Sequence, residues 1–407
     1  MSNKVKQPFI IVGGGIGGLA AALGLAEAGK ESMVLERAPE FGEVGAGIQL
    51  APNGTAVLER LGVMDEISKF AVFPKRLVLM DAVTGKELTV LNLQDEFKKK
   101  YGHPYIVMHR ADLHRVLYEA CLAKGDISLL TDSEVESVQD LGTGAQVTLT
   151  DGTVYESEAV IGADGIHSKT RKLMSDDQPV CSQYVAYRGT IPMEEVTETA
   201  GTNPDDVLMW VGPNLHLVQY PVRRGELYNQ VVVFKSFKYK PGTEDWKAND
   251  WGTPEEMDER FADTCDFVKH SVSFISRQFR WAMWDRNPIQ NWTKGRVTLL
   301  GDAAHPMLQY MAQGGIAALE DVAYLTNMLH KHGNDYNAAF LEYQAERMPR
   351  SASVQTNARQ WGEIIHADDP IAILLRNHIM SQRDEFDVSY VDWLYSKRYD
   401  ADNLVKA

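Results

Sequence analysis

The run Gly13-Gly14-Gly15-Ile16-Gly17-Gly18 stands between an apolar stretch at 9–12 (Phe-Ile-Ile-Val) and an alanine-rich stretch at 19–28. The first favours a buried strand and the second a helix. A second apolar stretch at 32–35 ends in Glu36. Strand, glycine turn, helix and strand make a βαβ unit, which commits the chain to a parallel sheet with helices packed against it. Gly13, Gly15 and Gly18 fit GxGxxG, with Ile16 and Gly17 completing the turn. Such a turn brings backbone amides close to a pyrophosphate, whose charge the helix N-terminus stabilises. Glu36 is placed to accept hydrogen bonds from a ribose. These residues alone leave FAD and NAD equally open.

Two further glycine turns follow apolar runs. Gly162-Ala163-Asp164-Gly165 comes after residues 160–161, and Ser168 just beyond it suits a helix N-cap. Gly301-Asp302-Ala303-Ala304-His305-Pro306 comes after residues 297–300. A carboxylate at a strand end, as at Asp302, can accept hydrogen bonds from a ribitol hydroxyl. Gln313-Gly314-Gly315 then opens a helix through residue 327, whose first amides can stabilise negative charge. His305 reads as structural.

Between these turns the pattern predicts a helix at 112–124 and strands at 146–150 and 158–161, the latter two joined by the turn pair Asp151-Gly152. Longer alternating strands follow at 207–211, 216–222 and 228–234, with a turn at 223–226, and predict an antiparallel sheet. Residues 241–260 read as a surface loop before a helix. Helices dominate after about residue 300, and the polar stretch beyond Asp384 keeps Tyr390, Trp393, Tyr395 and Tyr399 for packing.

A chain of 407 residues, 44% hydrophobic, can bury a large core. Its net charge of −15 argues against binding nucleic acid, which needs Lys and Arg against phosphates. Cys121, Cys181 and Cys265 are too few and too scattered for a disulfide framework or a CxxC metal site, so a reducing cytoplasm is the simplest compartment. Glycines and Glu27 interrupt the apolar run at 9–29, which therefore reads as folded structure rather than a signal sequence. No stretch approaches the ~20 apolar residues of a membrane span. No metal site and no GxSxG elbow is recognisable.

The three turns, in this order and spacing, resemble the group A flavoprotein monooxygenases over almost the whole chain. Supporting matches are Glu36-Arg37, Gly42-Glu43-Val44-Gly45-Ala46-Gly47 and Met108-His109-Arg110-Ala111-Asp112-Leu113-His114. The resemblance implies FAD as cofactor, with Arg37 near the adenosine, Arg110 near the phosphates or ribitol, and Asp164 near the pyrophosphate and the path of the nicotinamide. It implies an α/β fold with α+β elements: a discontinuous Rossmann-like FAD-binding domain (1–73, 104–179, 287–346), an interleaved antiparallel-sheet substrate domain (74–103, 180–286) and a C-terminal helical segment (347–407). It also implies NADH or NADPH and O2 as cosubstrates, a small aromatic acid as substrate, and a homodimer. Gly315 departs from the alanine or serine of many relatives, which bears on flavin mobility.

In this family reduced flavin and O2 deliver one oxygen atom to an aromatic ring, and a base near the substrate hydroxyl speeds the transfer by forming a phenolate. Period-two geometry puts His216, Val218 and Tyr220 on one strand face, and Leu217 and Gln219 on the other. An isolated strand histidine reads more readily as a satisfied core residue. However, residues 213–221 together with His305-Pro306-Met307-Leu308-Gln309-Tyr310 resemble the branch that hydroxylates 3-hydroxybenzoate at carbon 6. That branch implies His216 as base, Gln309 as the group orienting the phenol, and Tyr220 and Tyr105 in the pocket wall. Salicylate hydroxylases carry proline where Gln309 stands. Other classes on such a scaffold are a non-oxygenating reductase, a halogenase, whose Trp-x-Trp-x-Ile-Pro run is missing here, or a flavin-containing binding module.

Overall fold

The computed structural model describes residues 5–42, 45–196, 204–243 and 250–396, in which two sheets organise the chain. The first has a parallel centre in the order Val297–Leu299, Val154–Gly162, Val5–Val12, Ser32–Leu35 and Ile127–Leu130. Both faces are covered toward the carboxyl ends of these strands, which is why residues 9–12 and 159–161 are continuously apolar. Phe9, Ile11, Val34, Ile161 and Leu299 point into a core shared with helices. Ile10, Val12, Met33, Leu35 and Val160 point the other way, against the hairpin strands Val135–Asp140 and Ala145–Leu149.

The helix Ile16–Glu27 is buried between this sheet and the helices Arg110–Leu122 and Gly314–His332, so it is apolar nearly all round. The expected helix at 112–124 starts and stops two residues earlier, at Arg110 and Leu122. The helix opened by the third glycine turn continues past residue 327 to His332, where Gly333 in a positive-φ conformation ends it.

The second sheet has seven strands in the order Trp281–Asp285, Val180–Pro192, Leu227–Lys235, Leu215–Val222, Asp206–Gly212, Arg76–Asp81 and Glu87–Asn92. All neighbours are antiparallel except Arg76–Asp81 beside Asp206–Gly212. One face packs on the helices Pro254–Phe261 and Asp266–Ser273 through Leu217, Val232, Phe234 and Phe261. The other packs on the chain around Leu308, Tyr310 and Ile365. The helix Tyr336–Ile365 runs unbroken through residues 346 and 347, where the sequence suggested a division, and so joins the third glycine turn to the second sheet.

Of the loop at 241–252, residues 244–249 lie outside the described residues, as do Glu43, Val44 and Tyr399. Its described end is anchored, since the buried Trp251 donates from Nε1 to the Thr243 carbonyl at 2.8 Å. Among the described residues no helix is long and apolar enough to cross a membrane.

Candidate active site

The strand register places all three glycine turns at one edge of the first sheet. Val12 is level with Gly162 and with Leu35, and Gly162 is level with Leu299. The chain therefore leaves at Gly13, Glu36, Ala163 and Leu300 along the carboxyl ends of adjacent parallel strands, where such sheets bind ligands. Arg171, almost fully buried, fastens the second turn to the third by donating to the carbonyls of Ala303 (2.9 Å) and Ala304 (2.7 Å). A cavity of about 1390 Å³ runs from these turns to the second sheet.

At the first turn Gly13 has φ +107°, and a Cβ on Gly18 would strike the Gly13 carbonyl oxygen. Only glycine serves at either position. No side chain caps the helix Ile16–Glu27, so its first amides have no acceptor within the helix and Gly13, Gly15, Ile16 and Gly17 line the cavity. Glu36 accepts from the amides of Gly14 (2.8 Å) and Ala38 (2.9 Å). Its carboxylate thus first shapes the loop, with acceptor positions left for a ribose. Arg37 sits exposed at the rim and Arg110 lines the wall.

Asp164 lines the cavity at the second turn. Its carboxylate turns back on its own loop and accepts from Ser168 Oγ (2.5 Å), the Lys169 and Thr170 amides (2.8 and 3.1 Å) and Thr170 Oγ1 (3.2 Å). The amides of a tight turn need an acceptor, and Asp164 is the nearest one. The side chain builds the turn, and residues 163–165 border the cavity. Ser168, expected as a cap, accepts from the Arg171 amide at 2.9 Å.

Beneath the third turn lies a buried ionic network. Asp321 accepts from the Gly301 amide (2.9 Å) and Arg347 Nε (2.8 Å), and lies 2.6 Å from His305 Nε2. Arg347 also donates to Glu320 (2.7 Å), which Asn53 and Arg350 reach as well. Burial alone would raise both carboxyl pKa values, but His305 and Arg347 at Asp321, and Arg347 and Arg350 at Glu320, outweigh it and hold them below the ordinary range. Above this floor Asp302 is exposed toward the cavity, and the helix Gly314–His332 presents Gly314 and Gly315 at its uncapped start. Ala312, at φ +53°, makes the sharp bend between Gln309 and that helix.

At the far end His216, Val218 and Tyr220 line the cavity from one face of the strand Leu215–Val222. Gln219 points to the other side, accepting from Trp210 Nε1 and donating to Gln230 and Ser271. Gln309, from the third turn, lines the same cavity. Tyr105 is buried and donates to Gln49 at 2.6 Å. Burial pushes the Tyr105 and Tyr220 pKa values up, so both phenols stay protonated, and pulls that of His216 down, so its imidazole stays neutral. Trp281 and Trp393 also line the wall and carried no motif, and beside Tyr220 the buried Asn229 accepts from the Gly47 amide at 2.7 Å and fixes that loop.

A first turn closed so tightly that only glycine fits at Gly18, and two uncapped helix starts on one cavity, suit a dinucleotide carrying a flat ring system. Residues 6–358 match the family model described as "FAD binding domain". The chain belongs to that family, and within it to the FAD-dependent aromatic monooxygenases. Among its relatives, 3-hydroxybenzoate 6-hydroxylase 1 of Aquipseudomonas alcaligenes is 38% identical over 394 residues, covering 96% of this chain and 97% of the relative. The 3-amino-4-hydroxybenzoate 2-monooxygenase of Streptomyces cremeus is 35% identical over 395 residues, covering 95% and 94%. Among solved structures, Klebsiella pneumoniae HpxO complexed with FAD and uric acid superposes with TM-score 0.80 at 25% identity, covering 93% of each chain.

Proposed function

We propose that the chain hydroxylates 3-hydroxybenzoate para to its hydroxyl, giving 2,5-dihydroxybenzoate (gentisate), with NADH or NADPH and O2 as cosubstrates. FAD supplies the electron relay and oxygen activation. The flavin would be held by residues 13–18, Glu36, Arg37, Arg110, Asp302 and the amides at Gly314 and Gly315.

The observation that carries this reading is a neutral imidazole, His216, lining the same cavity as the Gln309 side chain, whose neighbour Tyr310 packs edge-on against His216. The Nδ1 atom of His216 is engaged by His366 at 2.6 Å, which leaves Nε2 as the ring nitrogen for a ligand. In its neutral form that nitrogen accepts the phenolic proton, while the Gln309 amide fixes the oxygen from which the proton leaves. The phenolate directs electrophilic oxygen to the carbon para to it. Tyr220, protonated, can donate to the substrate carboxylate, and Tyr105 closes the wall.

The relatives that act on 3-hydroxybenzoate support this choice, and the aminohydroxybenzoate enzyme supplies the natural competitor. Purified FAD-loaded enzyme should be offered 2-, 3- and 4-hydroxybenzoate and 3-amino-4-hydroxybenzoate in turn, with NAD(P)H loss, O2 uptake and peroxide release followed together. The expected result is fast oxidation without peroxide for 3-hydroxybenzoate alone. Coupled turnover of another member in its place would reject the assignment.

A further inference from the structure

His216 has a second imidazole behind it. His366 closes the helix Tyr336–Ile365, and its Nε2 lies 2.6 Å from His216 Nδ1. The ring planes differ by 16° and the centroids are 4.9 Å apart. That separation is close to the N···N distance plus one ring radius on each side, so the rings meet edge to edge in nearly one plane, not face to face. An in-line N–H···N contact of this kind is the geometry of proton transfer.

The two imidazoles face different spaces. His216 lines the large cavity, whereas His366 lines a separate polar pocket of about 250 Å³ with Glu363, Asp368 and Lys235. Glu363 and Asp368 are exposed, so this pocket meets solvent. Aromatic rings seal the pair at its sides: Tyr184 stacks on His366 at 4.5 Å, and Tyr310 meets His216 and His366 edge-on at 5.6 and 4.9 Å.

We propose that His216 and His366 form a two-imidazole proton wire that carries the phenolic proton of the substrate out of the flavin cavity into the polar pocket, and returns one after oxygen transfer. The wire rests on the reading that a phenol binds against His216. At the start each imidazole carries its hydrogen on Nδ1. The substrate O–H bond breaks as His216 Nε2 takes the proton. The His216 Nδ1–H bond breaks as His366 Nε2 takes that proton, and His366 Nδ1 releases its own to water in the pocket. One proton has left the cavity, and both rings end neutral in the opposite tautomer. Reversal of these steps, when the product regains a phenolic hydrogen, resets both.

Storing the proton as a His216 cation is disfavoured. Burial lowers the pKa of both imidazoles, and at His366 the charges of Arg376 and Lys235 add to it. Passing the proton onward avoids that buried cation.

The test mixes FAD-loaded enzyme rapidly with 3-hydroxybenzoate in weakly buffered solution, reading phenolate absorbance and an indicator dye for proton release. His366→Gln keeps an oxygen that accepts from His216 Nδ1 but has no second nitrogen to release a proton. It should slow both signals by about tenfold or more, with FAD content and equilibrium affinity little changed. Equally fast release by His366→Gln would overturn the wire while leaving the phenol site standing. Binding without phenolate in the unmodified enzyme would overturn both. A second measurement needs no variant: in H2O/D2O mixtures the release rate should curve with deuterium fraction, as more than one proton moves, and a straight line would overturn the wire.

Discussion

Tyr310 packs edge-on against His216, with ring centroids 5.6 Å apart and planes at 82°. Through that contact the third glycine turn, which carries Gln309 next in sequence, is locked to the second sheet, which carries the imidazole. The cofactor end and the substrate end of the cavity are thus mechanically one unit.

Replacing His216 with Ala should lower kcat for 3-hydroxybenzoate about 10²- to 10⁴-fold, the usual worth of a positioned base. FAD content should not change, because His216 stands on the second sheet and is not among residues 13–18, Glu36, Arg110 and Asp302 that would hold the flavin. Turnover measured beside flavin absorbance checks both halves.

Gly18→Val should abolish FAD retention, since its Cβ would meet the Gly13 carbonyl and force the first turn open. The expected outcome is a colourless protein whose far-ultraviolet circular dichroism stays close to that of the wild type. Asp302→Ala is milder. Losing an acceptor exposed toward the cavity should weaken FAD by about ten- to a hundredfold, as for a hydrogen bond to a charged group, measurable by flavin fluorescence titration.

Arg347→Met should cost about 3–5 kcal/mol, because it removes the buried guanidinium that bridges Asp321 and Glu320 and leaves their charges only partly compensated. Denaturant unfolding of the holoenzyme measures this. Asp164→Ala should cost less, about 1–3 kcal/mol, for the turn amides and hydroxyls left unsatisfied.

Stability should fall as the medium is acidified below the ordinary histidine value of 6.5. His216 and His366 have folded pKa values below that value because burial disfavours the cation. Below 6.5 the unfolded chain therefore binds more protons than the folded one, and stability is lost toward the folded values. Asp321 and Glu320, also lowered when folded, add loss in the same direction at the acid end. Thermal melts of a His216→Asn/His366→Asn double variant should show a shallower decline just below pH 6.5 than the wild type.

The nucleotide end of the site was legible because its chemistry is backbone chemistry. A turn that brings amides to a phosphate demands glycine at Gly13 and Gly18, and that demand is written locally. The cavity face of the strand Leu215–Val222 was legible for a similar reason, since period two alone separates His216 and Tyr220 from Leu217 and Gln219. The rest depends on contacts between residues far apart in the chain. His366 is invisible as a partner of His216 until a long helix delivers it 150 positions later. The motif marks the position of Asp164, while which donors its carboxylate serves is decided by the turn's own unsatisfied groups. The chain division near residue 346 came with the family resemblance, and no local residue pattern marks it, since helical hydrogen bonding continues across it.

The most direct measurement is the identity of the product formed from 3-hydroxybenzoate under ¹⁸O2, with NAD(P)H consumption recorded alongside. The account predicts 2,5-dihydroxybenzoate carrying one labelled oxygen, formed in step with reductant oxidised. Labelled 2,3- or 3,4-dihydroxybenzoate, or peroxide in place of any hydroxylated product, would contradict it.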